Sequence, residues 1–176
     1  MLYHLVPTGG FRGGTIYSLN MLKTTYPDLY FKEIQKYEGR MEVLNAPVPS
    51  LGCRWGDVIF LSPVDPRLLR HEQYLVGIVP SRNEWGTCLE FSPEVLRPSC
   101  LATVWMHESD DSEDSTQYRT YAPDLLPSID FVPEATKKYY RDRARDGQRA
   151  LLYPYVPHVL YRGCLNVNRE ASVFEV

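Results

Sequence analysis

The stretch over residues 55–69, WGDVIFLSPVDPRLL, constrains the fold of this 176-residue chain more than any other. Its apolar run VIFL consists of strand formers without a charge, which predicts a short strand buried on both faces. Ser62 and Pro63 end the strand, because proline cannot donate to a sheet ladder. Asp65 then predicts a helix N-cap, with Pro66 at the first helical position. The strand therefore leads into a helix through a polar elbow, where scaffolds often hold functional side chains; a strand, turn and helix without chemistry is the alternative.

Similar short patterns follow one another along the rest of the chain. Strand patterns cover residues 2–6, 74–79, 87–91, 101–106, 159–161 and 172–176. Helices are predicted after Ser18, which serves as a cap, and from Pro27 and Pro133, because proline suits the first helical turn. This order predicts a single α+β domain over residues 1–176, with a mixed, mainly antiparallel split sheet and short flanking helices.

Composition and charge exclude several classes of protein. The net charge of −3 gives no global basic field for nucleic acid. Four cysteines lie far apart, which argues against the usual zinc spacings and against a dense disulfide framework, so we predict no metal site. No apolar run is long enough for a membrane span, and the first residues indicate a strand rather than a signal peptide. We therefore predict a cytoplasmic protein that does not engage a membrane. Residues 107–117, HESDDSEDSTQ, predict an exposed acidic loop.

One local cluster combines cationic and aromatic residues on the predicted helix that begins at Pro133. Its cations are Lys137, Lys138, Arg141, Arg143, Arg145 and Arg149, interleaved with Tyr139 and Tyr140. Cations neutralise phosphates and tyrosines stack on bases, so Lys137, Lys138, Arg141 and Arg145 predict a nucleic-acid contact. Asp142 and Asp146 dilute the cluster, and a solvated helix face is the alternative.

Two histidines stand out because each lies in a predicted strand. His4 lies in the first strand, and His158 opens a strand near the end of the chain. A buried imidazole must find a hydrogen-bond partner, so each is either a structural histidine or part of a site. The chain contains no H-E-x-x-H and no G-x-S-x-G motif, and nothing in the sequence selects a particular Cys–His nucleophile pair.

Several pieces of the sequence together resemble a known family. They are Tyr3-His4, Arg40, the segment GDVIFLSP over 56–63 and the segment HVLY over 158–161. In this order they resemble the frame of small ADP-ribosyltransferases, and most closely that of the DarT-type toxins that modify DNA bases. The resemblance spans most of the chain as an order of elements, and it implies an ADP-ribosyltransferase-like fold.

The resemblance also implies NAD as the co-substrate, bound in a cleft between two half-sheets. His4 is then expected to hydrogen-bond the ribose next to nicotinamide, and the backbone of His4 or Leu5 to hold the carboxamide. Arg40 is expected to contact the pyrophosphate, because a guanidinium matches phosphate geometry. Phe60 or Tyr17 is expected to stack on nicotinamide. Ser62, at the elbow, completes the expected cofactor-binding set.

The chain departs from this family at the position of the catalytic glutamate, where it has His158. A neutral imidazole can accept a proton, but it offers no negative charge to the ribosyl cation that forms as nicotinamide leaves. Glu90, Glu170 and Glu175 do not occupy the matching place. His158 and His4 are therefore the expected catalytic residues.

Three functions follow as hypotheses. The first is NAD-dependent transfer of ADP-ribose to a nucleic-acid or protein target. The second is a non-catalytic module on the same scaffold that binds a nucleotide or a partner, for example an antitoxin protein. The third is an interaction protein that presents exposed tyrosines at an interface.

Overall fold

The computed structural model describes residues 1–6, 12–80, 86–108 and 114–175. The strands are β1 (Leu2–Leu5), β2 (Thr15–Tyr17), β3 (Pro47–Val48), β4 (Cys53–Arg54), β5 (Ile59–Leu61), β6 (Thr87–Phe91), β7 (Ala102–Trp105), β8 (Tyr118–Thr120), β9 (His158–Tyr161), β10 (Cys164–Asn166) and β11 (Ala171–Glu175). The α-helices are α1 (Leu19–Thr25), α2 (Pro27–Ile34), α3 (Pro66–Leu75), α4 (Glu134–Arg145) and α5 (Val167–Glu170). Short 3₁₀ helices, such as Pro123–Ser128, join many of these elements.

Two antiparallel sheets dominate the architecture. One has the strand order β5-β9-β7-β8 and the other has the order β1-β6-β11. The sheets adjoin where β1 meets the end of β5, because Tyr3 and Ser62 exchange two backbone hydrogen bonds of 2.8 Å each. Two small antiparallel pairs, β2 with β10 and β3 with β4, lie outside these sheets. The predicted α+β class, with a mainly antiparallel sheet and short helices, is confirmed.

The largest of the buried clusters is shared by the two sheets. Leu2, Leu89 and Phe91 from the three-stranded sheet belong to the same buried cluster as Val104 and Val159 from the four-stranded sheet. Burial of apolar surface is the main favourable term in folding, so this shared cluster makes the described residues one domain. None of the helices in the described ranges combines the length and apolar character needed to cross a membrane.

Strand β5, at the edge of the four-stranded sheet, differs from its prediction on one face. Ile59 and Leu61 are buried in the shared core, as predicted. Phe60 lies between them and is only partly buried, because successive side chains of a strand point to opposite faces and this one lines an open cleft. The prediction of burial on both faces is therefore wrong. The helix that follows begins as predicted, with Asp65 accepting a hydrogen bond from the backbone N–H of Arg67 and with Pro66 at the first position.

The strand predicted over 74–79 is also wrong, because α3 extends to Leu75. Apolar side chains at 75, 76 and 78 predict a strand, but the amphipathic helix continues to Leu75 and is ended by Gly77, whose φ of 77° suits glycine. The N–H of Gly77 donates to Tyr74 O and that of Ile78 to Gln73 O, each at 3.0 Å, which is a Schellman ending. The strands predicted over 2–6, 87–91, 101–106, 159–161 and 172–176 are confirmed within two residues.

The predicted acidic loop over 107–117 falls partly outside the described residues, at 109–113. At its ends, Ser115 and Thr116 are exposed, but Gln117 is only 2% exposed. The carbonyl of Gln117 accepts a 2.9 Å hydrogen bond from Met106 N, which continues the pairing of β7 with β8. The prediction of exposure is therefore wrong for Gln117.

Candidate functional site

A wide cleft with a volume of about 800 Å³ opens beside the junction of the two sheets. We call it the aromatic cleft. Its lining combines rings and cations from distant parts of the chain, namely Tyr37, Arg40, Trp55, Phe60, Trp105, His107, Tyr139, Arg143, Tyr153, Tyr155 and His158. Among the described lining residues there is no carboxylate. The volume lies within the range of about 300–1,000 Å³ that is typical of small-molecule sites.

Four strands supply the sheet side of the cleft. Leu5 of β1, Phe60 of β5, Trp105 of β7 and His158 of β9 each place one side chain there. The rings pack on one another through Trp55, whose centroid lies 4.8 Å from that of Phe60 and 4.9 Å from that of Trp105. Such ring packing has few rotamer alternatives, so the floor of the cleft is formed before any ligand binds.

The opposite wall is the irregular segment 151–155, which has no strand partner and is held by side chains instead. The hydroxyl of Tyr140 donates to Leu152 O, and Thr136 Oγ1 donates to Pro154 O at 2.8 Å. Gln73 Nε2 donates to Leu151 O at 3.2 Å. Helices α3 and α4 thereby satisfy backbone carbonyls that a sheet would otherwise satisfy.

His158 is a neutral imidazole in the floor of the cleft. Burial lowers the pKa of His158 from 6.5 to about 4, and the nearby His107 adds to this lowering. Its Nδ1 lies 2.8 Å from Val156 O. Because a carbonyl oxygen only accepts, Nδ1 carries the proton and Nε2 keeps a lone pair. His158 can therefore accept a hydrogen bond but contributes no charge near neutral pH.

His4 lies next to the cleft and has the same tautomer. Its Nδ1 donates to Phe60 O at 2.9 Å, and burial lowers the pKa of the imidazole. The other ring nitrogen, Nε2, is buried and has no partner among the described residues. Trp105 presents the converse case, since its Nε1 donor is buried without a partner in the described part of the chain. Unsatisfied buried groups are uncommon in proteins, and one explanation is a ligand that completes them.

Two guanidinium groups face the cleft without a salt bridge to any described carboxylate. Arg40 donates to Lys36 O at 3.2 Å and lies 5.5 Å from the ring centroid of Tyr37. Arg143 donates to Gln148 and lies 5.2 Å from the ring centroid of Tyr139. The cleft therefore has excess positive charge.

The structure brings together four of the predicted site residues, since Leu5, Arg40, Phe60 and His158 line one cleft. His4 is joined to that cleft through Phe60 O. Tyr17 and Ser62 do not line it. The Tyr17 ring packs 5.8 Å from that of Tyr26, and buried Ser62 bonds to Val64 through its hydroxyl.

The four cations predicted to bind nucleic acid all form salt bridges in the structure. Lys137 pairs with Glu72, Lys138 with Asp142, Arg141 with Glu134, and Arg145 with Asp142 and Asp146. Arg143, from the same helix, lines the cleft and also two neighbouring surface pockets. Of the glutamates considered above, Glu170 accepts a hydrogen bond from Asn166 N at 2.9 Å and lies outside the lining.

Sequence reasoning missed His107 and Tyr155. They are the two residues other than glycine with positive φ in the described ranges, at 53° and 60°. The His107 ring stacks on Trp105 with centroids 4.0 Å apart. The polar residues after His107 place it in the predicted acidic loop, although its position directly after an apolar strand indicates that it can pack on that strand.

Comparisons with known proteins give no match: no family model, no curated protein and no solved structure is significantly similar to this chain. Within the described ranges, no group of three or more histidine, cysteine, aspartate or glutamate side chains could hold a metal ion.

Proposed function

We propose that this protein binds NAD in the aromatic cleft, on a scaffold of the ADP-ribosyltransferase kind. The observation that carries the proposal is the combination of Arg40, Arg143 and a ring-lined floor in one cleft without a described carboxylate. A dinucleotide offers a negatively charged pyrophosphate between two flat ring systems. Guanidinium groups bind phosphate oxygens through paired hydrogen bonds, and aromatic floors bind flat rings.

The unsatisfied groups beside the cleft support the same ligand. His4 Nε2 is an acceptor and Trp105 Nε1 is a donor, and neither has a partner among the described residues. A ribose hydroxyl donates and a carboxamide oxygen accepts, so NAD carries groups of both kinds. His4 does not itself line the cleft, so its contact with a ribose stays a prediction.

The place of the cleft in the fold also supports the scaffold. An ADP-ribosyltransferase-like fold is expected to bind NAD between two half-sheets. Here Leu5 belongs to the three-stranded sheet and Phe60 and His158 to the four-stranded sheet, and all three line the cleft. The Tyr3–Ser62 bridge fixes the two sheets next to each other at this point.

Calorimetric titration with NAD tests the proposal. Arg40→Gln and Arg143→Gln should each weaken binding about 10- to 100-fold, because each removes a charged hydrogen bond worth about 1.5–3 kcal/mol. Arg149→Gln is the matched control, since this exposed arginine is close in sequence to Arg143 but does not line the cleft. Absence of NAD binding, or equal loss in all three variants, would count against the site.

A second candidate function is slow ADP-ribosyl transfer, with His158 as a weak proton acceptor whose pKa is about 4. Its Nε2 lone pair can accept the proton of a nucleophile in the floor of the cleft. With no described carboxylate in the lining, the oxocarbenium-like cation has no counter-charge there, so turnover should be slow.

Nicotinamide release from NAD, measured with mixed DNA, RNA and protein targets, separates transfer from binding alone. Transfer predicts release that is lost in His158→Gln although NAD still binds to that variant. Release no higher than in a His4→Ala control would exclude transfer to those targets and leave a nucleotide-binding module.

A further inference from the structure

A smaller pocket of about 210 Å³ adjoins the aromatic cleft, and we call it the side pocket. Its walls are Met106, Glu108, Ile129, Phe131, Pro133 and Pro157. His107 and Tyr155 border both the side pocket and the cleft, and their ring centroids are 5.5 Å apart. A molecule in the side pocket would therefore lie one layer of rings away from a ligand in the cleft.

The residues that border both cavities have an unusual backbone. His107 and Tyr155 are both in the left-handed region, which side chains larger than glycine rarely adopt. Such conformations persist where the surrounding packing imposes them, and they concentrate at binding and catalytic sites. The surrounding packing thus holds this pair of rings in place even though both residues have a strained backbone conformation.

The lining of the side pocket has a definite chemical preference. Five of its named wall residues are apolar, and Phe131 is 59% exposed. Glu108 is the only charged residue among the described lining residues, and it is exposed. An apolar cavity with one carboxylate at its edge suits a group that has an aliphatic stem and a cationic head.

Lysine and arginine side chains have this composition. They lay their methylene stems along apolar surface and keep the charged head in water, where a carboxylate can pair with it. Charge also determines which of the two cavities such a side chain prefers. Arg40 and Arg143 repel a cation from the aromatic cleft, whereas Glu108 attracts it to the mouth of the side pocket. The two cavities therefore prefer ligands of opposite charge.

We propose that the side pocket binds the lysine or arginine side chain of a partner protein, with the stem against Ile129 and Phe131 and the cationic head beside Glu108. The pocket is smaller than the about 300 Å³ at which sites for whole small molecules begin, which fits a single side chain. Any role of this side chain as the acceptor of ADP-ribose rests on the proposed function.

The test uses the full chain without NAD, with methyl-labelled methionines observed by NMR. Met106 lines the side pocket, whereas Met21 and Met41 are exposed elsewhere and serve as internal references. The probes are butylguanidinium, butylammonium, butanol and butyrate, which share a stem and differ in charge. We expect both cations to shift the Met106 methyl signal saturably, butanol to bind about 10-fold more weakly, and butyrate to give no shift.

Two variants check the assignment. Glu108→Gln should reduce cation affinity to that of butanol, and Glu38→Gln, at an exposed glutamate outside the pocket, should have no effect. Equal binding of butanol and the cations, an unresponsive Met106, or equal loss in both variants would overturn the proposal. NAD titration of the same samples distinguishes the two failures, because loss of the side pocket's preference with intact NAD binding leaves the proposed function standing.

Discussion

Tyr140 offers a direct measure of what holds the irregular wall of the cleft. This tyrosine of α4 is fully buried, and its hydroxyl donates to the carbonyl of Leu152, which is only 4% exposed. Burial raises the pKa of the Tyr140 phenol, so the hydroxyl keeps its proton and remains a donor. Tyr140→Phe retains the ring and its packing while it removes the hydroxyl that donates to this carbonyl.

The expected loss follows from that burial. A buried acceptor left without a donor costs about 1–3 kcal/mol, whereas an exposed one recovers a hydrogen bond from water. We therefore expect Tyr140→Phe to lower the free energy of unfolding by about 1–3 kcal/mol. For a chain of this size, each kcal/mol corresponds to about 2–4 °C in Tm. The midpoint of thermal unfolding should thus fall by about 2–12 °C.

The neighbouring Tyr139 provides a matched control for the same chemical change. Its hydroxyl accepts a hydrogen bond from Leu151 N at 3.2 Å in an exposed place. Tyr139→Phe should change the free energy of unfolding by less than about 0.5 kcal/mol, because water replaces the lost partner. Urea titrations of both variants and the parent protein measure the difference. Equal losses would refute the view that side chains of α4 hold the wall by satisfying its buried carbonyls.

Two further predictions concern pH and backbone conformation. Burial lowers the pKa of His158 from 6.5 to about 4. Between these pH values the unfolded chain binds a proton that the folded chain does not. The free energy of unfolding should therefore fall by up to about 3 kcal/mol as the pH drops from 6.5 to 4. His158→Gln should remove this part of the loss in urea titrations across that window, and an unchanged pH slope would contradict it. Gly14 has a φ of 65°, and an added Cβ would lie 2.2 Å from the Asn168 side chain. A left-handed backbone costs a residue with a Cβ about 1–2 kcal/mol. Gly14→Ala should therefore lower the free energy of unfolding by more than this amount, whereas Gly39→Ala, with open space around it, should lower it only by the backbone cost, as measured by thermal unfolding.

Much of the fold could be predicted because its signals are local. Asp65 followed by Pro66 defines a helix start within two residues, and the apolar run before it defines β5. The error over 74–79 has the same origin, because a short apolar run does not distinguish a strand from the last turn of a helix. What separates them is the Schellman ending at Gly77, which depends on hydrogen bonds back to Gln73 and Tyr74.

The candidate site could be predicted only in part because its neighbours come from distant segments. Arg40 and His158 were inferred from a resemblance, and they do line one cleft. The sequence places Arg143 only within a cationic cluster. In the structure, the neighbouring cations Lys138, Arg141 and Arg145 form salt bridges, whereas Arg143 lines the cleft. Tyr155 had no sequence signal, since its role depends on a left-handed backbone and on its contact with His107.

The charges of the cleft decide between holding a dinucleotide and cleaving it. Arg40 and Arg143 favour the anionic ground state of NAD, and the neutral His158 adds no opposing charge. In the proposed complex, a cation that develops at the ribose would be destabilised by the same guanidinium groups that would bind the pyrophosphate, unless the phosphates shield it. Catalysis requires interactions that are stronger in the transition state than in the ground state, and the described lining offers mainly interactions with the ground state. Tight binding with slow turnover is therefore the behaviour that this arrangement of charges favours.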